Sequence, residues 1–247
     1  MTTPPFVYRV VMAIGTPAVR WWGRLEVRGL ENLPPSGPTV VMANHDSQWD
    51  PVVAGIAALR RRHLRALAKD SLWKNPVVGR WLTGMGQIPI ARGRGDKGAL
   101  QAAIDVLRDG GCIGVFPEGT VSRGRTMRFL SGAGRLALAV PGTTVLGLRI
   151  TGQTDIVRFP KRPRVLVEFL PPATPQEGES AVALTNRVMQ QVRTGAPPVI
   201  PGRAKTAARY RALVAEHEAG QRGDVWGGDV QGEDVQGERT ERGDRAS

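Results

Sequence analysis

A histidine and an aspartate five positions apart, His45 and Asp50, form the pair best suited to proton transfer. This spacing puts two side chains on opposite faces of a strand and far apart around a helix, so only a turn brings them together. Pro51 follows directly and favours the first turn of a helix, with Asp50 near its N-cap. In such a turn the carboxylate can accept the imidazole Nδ1–H and leave Nε2 as a general base. The alternative is that Asp50 merely caps the helix and His45 packs beside it.

A histidine base needs a hydroxyl or thiol to deprotonate, and the sequence contains no recognisable nucleophile motif. Gly-x-Ser-x-Gly does not occur. The single cysteine, Cys112, lies in the apolar run CIGVF, which is typical of a buried strand residue rather than a reactive thiolate. We therefore expect the reacting hydroxyl to belong to a substrate.

Two further segments, rich in arginine and glycine, also follow predicted strands. ARGRGDK carries Arg92 and opens a helix, and PEGTVSRGR carries Glu118 at a strand end with Arg123 behind it. Guanidinium groups and helix N-terminal amides are typical phosphate ligands. Each segment taken alone is also compatible with a solvated basic turn. Together with the His45 turn, they place three polar loops at strand ends.

Short β-branched runs alternate with longer helical stretches in the central part of the chain. This alternation favours an α/β fold, a mostly parallel sheet flanked by helices, with ligands at the carboxyl ends of the strands. The predicted strands are Arg24–Arg28, Thr39–Met42, Leu64–Ala68, Gln87–Ile90, Cys112–Phe116, Thr144–Ile150 and Val165–Phe169. The predicted helices are Pro51–Arg61, Ser71–Gly84, Lys97–Asp109, Gly132–Ala139, Pro175–Arg193 and Ala204–Gly220.

The N-terminal segment is apolar but too often interrupted to form one membrane-spanning helix. Only Val10–Val19 run without a charge, about half of the roughly 20 residues that a span needs. The pattern predicts an amphipathic helix or helix pair, broken near Gly15–Pro17. Trp21, Trp22 and the flanking arginines suit the headgroup region of a bilayer, and packing on the protein's own core is an equal alternative.

Composition divides the chain into four parts. The last part contains five-residue repeats, four arginines and seven acidic residues, with too few apolar side chains to form a core. The predicted division is an N-terminal membrane-interface helical segment (1–23), an α/β domain (24–200), a C-terminal helix (201–219) and a disordered acidic tail (220–247).

The net charge implies an anionic neighbour. The chain of 247 residues has 34 Lys and Arg against 22 Asp and Glu, a formal charge of +12. Nucleic acid, anionic lipid and phosphorylated small molecules all fit such an excess. One cysteine excludes a disulfide framework or multi-thiolate zinc site, and three histidines argue against a His-only metal site. The expected compartment is reducing, as in the cytoplasm.

Four segments resemble, in order, the sequence blocks of the glycerolipid acyltransferase family. They are Asn44-His45-x4-Asp50, Gly86-Gln87-Ile88-Pro89-Ile90-x-Arg92, Phe116-Pro117-Glu118-Gly119-Thr120 and Val145–Ile150. The most similar branch is the PlsC-type 1-acyl-sn-glycerol-3-phosphate acyltransferases. The resemblance extends from about Leu30 to Gly152, and its strength lies in the ordered set rather than in any one block.

The resemblance implies a glycerol-3-phosphate acyltransferase-like fold and a direct acyl transfer. His45 would deprotonate an acceptor hydroxyl and Asp50 would orient it. The hydroxyl would attack the thioester of acyl-CoA or acyl carrier protein without an acyl-enzyme, and no cofactor beyond this donor is implied. The product would be phosphatidic acid, made from a lysophospholipid acceptor.

The resemblance also implies an acceptor- and phosphate-binding set. Val121 stands where the family commonly has an arginine after FPEGT, and Arg123 comes two positions later. This departure leaves open the phosphate role of Arg123 and the identity of the acceptor, so another lysophospholipid or a glycolipid is an alternative. The implied set comprises Lys69, Arg92, Glu118, Gly119 and Arg123.

A lipid acceptor requires contact with a bilayer. A basic body and an interfacial N-terminal segment would hold the protein on anionic lipid, each nearby Lys or Arg contributing about 1 kcal/mol. We expect peripheral or monotopic attachment to the cytoplasmic face of the cell membrane. The sequence contains no recognisable nucleic-acid-binding motif, and no aromatic residues alternate with the basic residues of the loops. A non-catalytic module that binds nucleic acid or lipid is therefore less favoured.

Overall fold

A sheet of seven strands forms the centre of the computed structural model, which describes residues 4–91, 96–156 and 162–200 and six positions from 208 to 216. The strands, in the described part of the chain, are β1 (Glu26–Arg28), β2 (Thr39–Ala43), β3 (Arg65–Lys69), β4 (Ile88–Ile90), β5 (Cys112–Val115), β6 (Thr144–Thr151) and β7 (Leu166–Phe169). Their order across the sheet is β1-β7-β6-β2-β5-β3-β4.

The central strand β2 is parallel to both of its neighbours. Val40 is in register with Ile113 of β5 and with Val145 of β6. β6 and β7 pair antiparallel, and β1 then follows β7 in parallel, so these two strands run against the others. All five β2 residues are buried because helices cover both faces of the sheet. The predicted mostly parallel sheet flanked by helices is confirmed.

Helices pack on both faces of this sheet. Tyr8, Met12 and Ile56 belong to the apolar cluster on one face, and Leu107 and Leu136 belong to the cluster on the other. The α-helices within the described residues are α1 (Phe6–Thr16), α2 (Asp50–Ala58), α3 (Pro76–Gly84), α4 (Lys97–Arg108), α5 (Gly132–Ala139) and α6 (Ala181–Gly195). Short 3₁₀ turns cover Leu30–Asn32, Asp70–Lys74 and Gln153–Asp155.

Two predicted helices start more than three residues later than expected. The expected helix Ser71–Gly84 is a 3₁₀ turn followed by α3, because Asn75 is extended and its side chain caps Val77 and Val78. The expected helix Pro175–Arg193 begins only at Ala181, where the Ser180 side chain accepts a hydrogen bond from the Ala183 amide.

The structure describes the predicted N-terminal helical segment but little of the predicted C-terminal part. α1 ends at Thr16 and the chain continues as a π-helical turn over Pro17–Trp22, so the winding changes at the predicted break. The predicted C-terminal helix at 201–219 lies mostly outside the described residues, and the six positions described there, between 208 and 216, are helical; the predicted tail at 220–247 lies wholly outside them.

Candidate active site

The chain turns sharply after β2, and the side chain of Asn44 fixes this turn to β6. Its Oδ1 accepts the Ile150 amide and its Nδ2 donates to the Ile150 carbonyl, both at 2.8 Å. Asn44 is fully buried, so these paired bonds also satisfy an amide that would be costly to leave without partners. The next residue, His45, therefore starts from a fixed point at the carboxyl end of the sheet.

His45 and Asp50 lie within hydrogen-bonding distance in this turn. The imidazole Nδ1 is 2.8 Å from Asp50 Oδ2, and the His45 ring stacks on Phe116 with 4.4 Å between ring centroids. The carboxylate selects the tautomer with the proton on Nδ1. The second ring nitrogen, Nε2, is then left with its lone pair, as a general base requires.

Asp50 also closes the turn itself. Its Oδ2 accepts the amides of Asp46 at 2.7 Å and Ser47 at 2.8 Å. Trp49 occupies the N-cap and Asp50 is the first helical residue, so Asp50 lies next to the N-cap as expected, and the alternative in which it merely caps the helix does not describe this turn. Burial raises the pKa of the Asp50 carboxyl, while the hydrogen bonds from His45 and the Ser47 amide act in the opposite direction.

The loop after β5 holds the main chain of His45. The His45 amide donates to Glu118 Oε2 at 3.4 Å, and the His45 carbonyl accepts the Ser122 amide at 2.7 Å. Gly119 makes the tight turn between them with φ of 70°, a conformation that glycine adopts freely. Since β2 and β5 are sheet neighbours, their two following loops meet at one edge.

Arg193 of α6 joins Glu118 to Asp46. Its Nη2 lies 2.5 Å from Glu118 Oε1 and its Nη1 lies 2.9 Å from Asp46 Oδ2. The Ser122 hydroxyl donates to Asp46 Oδ1 in the same cluster. Burial raises the pKa of the Glu118 carboxyl to about 7, although the Arg193 charge acts to lower it.

The structure brings some of the residues named from the sequence together and leaves others apart from them or undescribed. His45, Asp50 and Glu118 meet at the ends of β2 and β5, and Arg123 follows Ser122 in the same loop. Lys69 ends β3, opposite Ile90 of β4, and its side chain is exposed. Arg92, two residues beyond β4, lies outside the described residues.

Sequence reasoning missed Asp46, Ser122 and Arg193. Asp46 directly follows His45 and Ser122 lies in the glycine-bearing loop, so their positions offered a weak signal. Arg193 contacts Asp46 across 147 positions of the chain, and no local pattern marks it.

Comparisons with known proteins agree on one family. Residues 24–151 match the family model described as Acyltransferase. The chain is 37% identical over 127 residues to a 1-acyl-sn-glycerol-3-phosphate acyltransferase of Borreliella burgdorferi, covering 50% of this chain and 49% of that protein. It is 32% identical over 183 residues to the sheep 1-acyl-sn-glycerol-3-phosphate acyltransferase alpha, covering 69% and 62%.

A solved structure extends the similarity to the fold. The crystal structure of the 1-acyl-sn-glycerophosphate (LPA) acyltransferase PlsC from Thermotoga maritima matches with a TM-score of 0.62 at 26% identity, covering 76% of this chain and 77% of that one. The chain spans about half the length of the first of these curated relatives.

Proposed function

The chain belongs to the acyltransferase family, and from this premise we propose that it acylates 1-acylglycerol-3-phosphate, giving phosphatidic acid. The donor in this proposal is the thioester of acyl-CoA or acyl carrier protein. The observation that carries the proposal is the buried His45–Asp50 hydrogen bond at the carboxyl end of β2. The names of similar proteins, which are 1-acyl-sn-glycerol-3-phosphate acyltransferases, support the choice of acceptor.

The proposed reaction transfers the acyl group directly from the thioester sulfur to the oxygen of the acceptor hydroxyl. His45 Nε2 takes the proton of the acceptor hydroxyl while the hydroxyl oxygen bonds to the thioester carbonyl carbon. The C–S bond then breaks, and the departing sulfur receives the proton from the imidazolium. The Asp50 carboxylate stabilises this imidazolium while it carries the charge.

The thiol of Cys112 is a poor candidate for an acyl-enzyme in this reaction. Cys112 is buried in β5, and burial raises the pKa of its thiol to about 12. A thiol that stays protonated at neutral pH is a weak nucleophile. Its burial therefore supports direct attack by the acceptor hydroxyl.

We further propose that α1 and α3 form a membrane-facing surface. The two helices pack together, with Val7 beside Gly84. No helix in the described ranges is long and apolar enough to span a bilayer. Exposed apolar groups with nearby basic residues such as Arg9 and Arg80 suit attachment at the headgroup level. The exposed large apolar side chains on and beside these helices are Phe6, Ile14, Trp21, Leu72, Val77, Val78 and Trp81.

Val77→Asp should weaken binding to anionic vesicles about tenfold, because it removes an apolar contact and adds a charge that the lipid repels. Val182→Asp is a matched control: both valines are the second residue of a helix, and they are 64% and 51% exposed. Aspartate near a helix N-terminus is favourable in both, so both variants should fold. Vesicle co-sedimentation measures the effect, and equal binding by the two variants would contradict the membrane-facing surface.

Arg123→Gly should raise the KM for a phosphorylated acceptor about tenfold, the size of one lost charge-assisted hydrogen bond. Arg123 has a left-handed φ of 54°, which glycine adopts without strain, so the variant should keep its fold. Arg24→Gly is the matched control, since Arg24 also has a positive φ, 47°, and contacts the Pro163 carbonyl. Steady-state kinetics on both variants test whether the Arg123 guanidinium binds the phosphate of the acceptor, and an unchanged KM for Arg123→Gly would exclude this contact.

A panel of acceptors tests the proposed function. The purified protein is given a labelled acyl thioester of CoA or of acyl carrier protein as donor. Each acceptor is tested in its own assay: lysophosphatidic acid, neutral and zwitterionic lysophospholipids and a glycolipid. We expect labelled phosphatidic acid as the main product. Transfer to another acceptor alone would favour the second candidate, which Val121 in the third block keeps open, and no transfer to any acceptor would refute acyl transfer itself.

A further inference from the structure

Helix α6 contributes one side chain to the site although it lies beyond the matched family region at 24–151. The Arg193 side chain is only 12% exposed, and its partners Asp46 and Glu118 are almost wholly buried. Two carboxylates side by side repel each other in a buried site unless a cation lies between them. Arg193 supplies that cation.

The guanidinium of Arg193 has no donor left for a substrate. It makes five hydrogen bonds, two to Glu118 Oε1, two to the Asp46 carboxylate and one to the Ala196 carbonyl. An arginine side chain has five N–H donors. Arg193 is therefore fully engaged within the protein, unlike an arginine that binds phosphate.

The two carboxylates in turn hold the general base. Glu118 accepts the His45 amide, and Asp46 accepts the hydroxyl of Ser122, whose own amide donates to the His45 carbonyl. Both main-chain polar groups of His45 thus contact the loop that Arg193 fastens to α6. A shift of this loop would move the imidazole relative to the acceptor hydroxyl.

We propose that Arg193 is a positioning residue for the acyl transfer proposed above, on which this inference rests. It holds Asp46 and Glu118 together and, through them, fixes the main chain of His45, in the loop after β2, against the loop after β5. It also cancels negative charge beside a site whose donor and acceptor both carry phosphate, so its role is both geometric and electrostatic.

Arg193→Met should lower kcat about 100-fold, since a displacement of about 1 Å at a reacting centre costs about that much. The KM for the acceptor should change less than kcat, because all five donors of Arg193 are already bonded within the protein. Arg193→Lys keeps a charge but has three donors in place of a planar fork, and it should recover part of kcat.

The pH profile separates positioning from mere structural support. The charged and titratable groups around His45 are Asp46, Asp50, Glu118 and Arg193. The Arg193 charge lowers the pKa of Glu118, so without it that carboxyl retains its proton to higher pH and becomes a weaker acceptor for the His45 amide. The acid limb of kcat against pH should therefore move upward by about one unit in Arg193→Met, whereas a purely structural loss would leave the profile in place.

Arg187→Met is the matched control. Arg187 lies on the same helix, and the hydrogen bonds of its guanidinium go to Glu179, at 2.7 Å, and to the Thr174 carbonyl. It should retain the wild-type kcat and pH profile at a similar change in melting temperature. Arg193→Met with wild-type kinetics, or with no greater loss than Arg187→Met, would overturn the proposal.

The experiment gives a decision even if one variant does not fold. If Arg193→Met is unfolded, Arg193→Lys decides, and a wild-type kcat in the folded lysine variant would overturn the positioning role. Failure of the wild-type protein on every acceptor would instead refute the proposed function. An active wild-type protein with equally active Arg193 variants would refute the positioning role alone.

Discussion

His45→Ala should lower kcat for acyl transfer at least about 10³-fold, the upper part of the range for removing a general base. The acceptor hydroxyl then has no group to take its proton at the moment of attack. Asp50 and the loop amides remain, so donor and acceptor should still bind with KM values within a few-fold of normal. Single-turnover measurements with a labelled acyl thioester resolve this loss from slow product release.

His45→Gln provides the control for folding. Its amide can still donate to Asp50 and preserve the turn, but it has no basic nitrogen. We expect a melting temperature close to wild type and a loss of kcat like that of the alanine variant. Activity within tenfold of wild type in either variant would exclude His45 as the base.

Asp50→Asn should lower kcat about 10³-fold while leaving the turn intact. Asp50 Oδ2 accepts three hydrogen bonds, and Oδ1 has no hydrogen-bond partner among the described residues. Asparagine can therefore place its side-chain oxygen where Asp50 Oδ2 lies and its NH₂ group where Oδ1 lies. The variant loses the negative charge that stabilises the imidazolium, and keeps much of the geometry.

The melting temperature and kcat of Asp50→Asn should be measured on the same preparation. A stable variant with greatly reduced kcat supports the electrostatic role of Asp50. A stable variant with normal kcat would show that Asp50 only closes the turn. An unstable variant whose remaining folded fraction has normal specific activity would lead to the same conclusion.

The sequence was sufficient for the parts of the fold that depend on local patterns. All seven predicted strands are present within the described residues, displaced by at most two residues at either end, because β-branched runs and flanking Gly and Pro mark them locally. The turn between His45 and Asp50 was predictable too, since no regular element brings two side chains five residues apart into contact.

The rest of the site depends on contacts between distant residues. Glu118 was expected to line the acceptor site, and the structure shows its oxygens bonded to Arg193 and to the His45 amide. Nothing near residue 193 distinguishes that arginine from the other basic residues, because its partners come from loops brought near only by the sheet. Likewise, Asn75 divides the predicted helix Ser71–Gly84 by adopting an extended conformation that helical periodicity does not reveal.

The Arg193 contacts have a consequence for how the chain acquires activity as it folds. They connect α6 to residues 147 and 75 positions earlier in the sequence, so long loops must close, at a cost in entropy, before these contacts can form. The local turn of His45 and Asp50 can form early, but its surroundings are complete only when α6 docks. A partly folded chain would therefore have its general base before the site is assembled, and the onset of catalysis would mark the completion of folding.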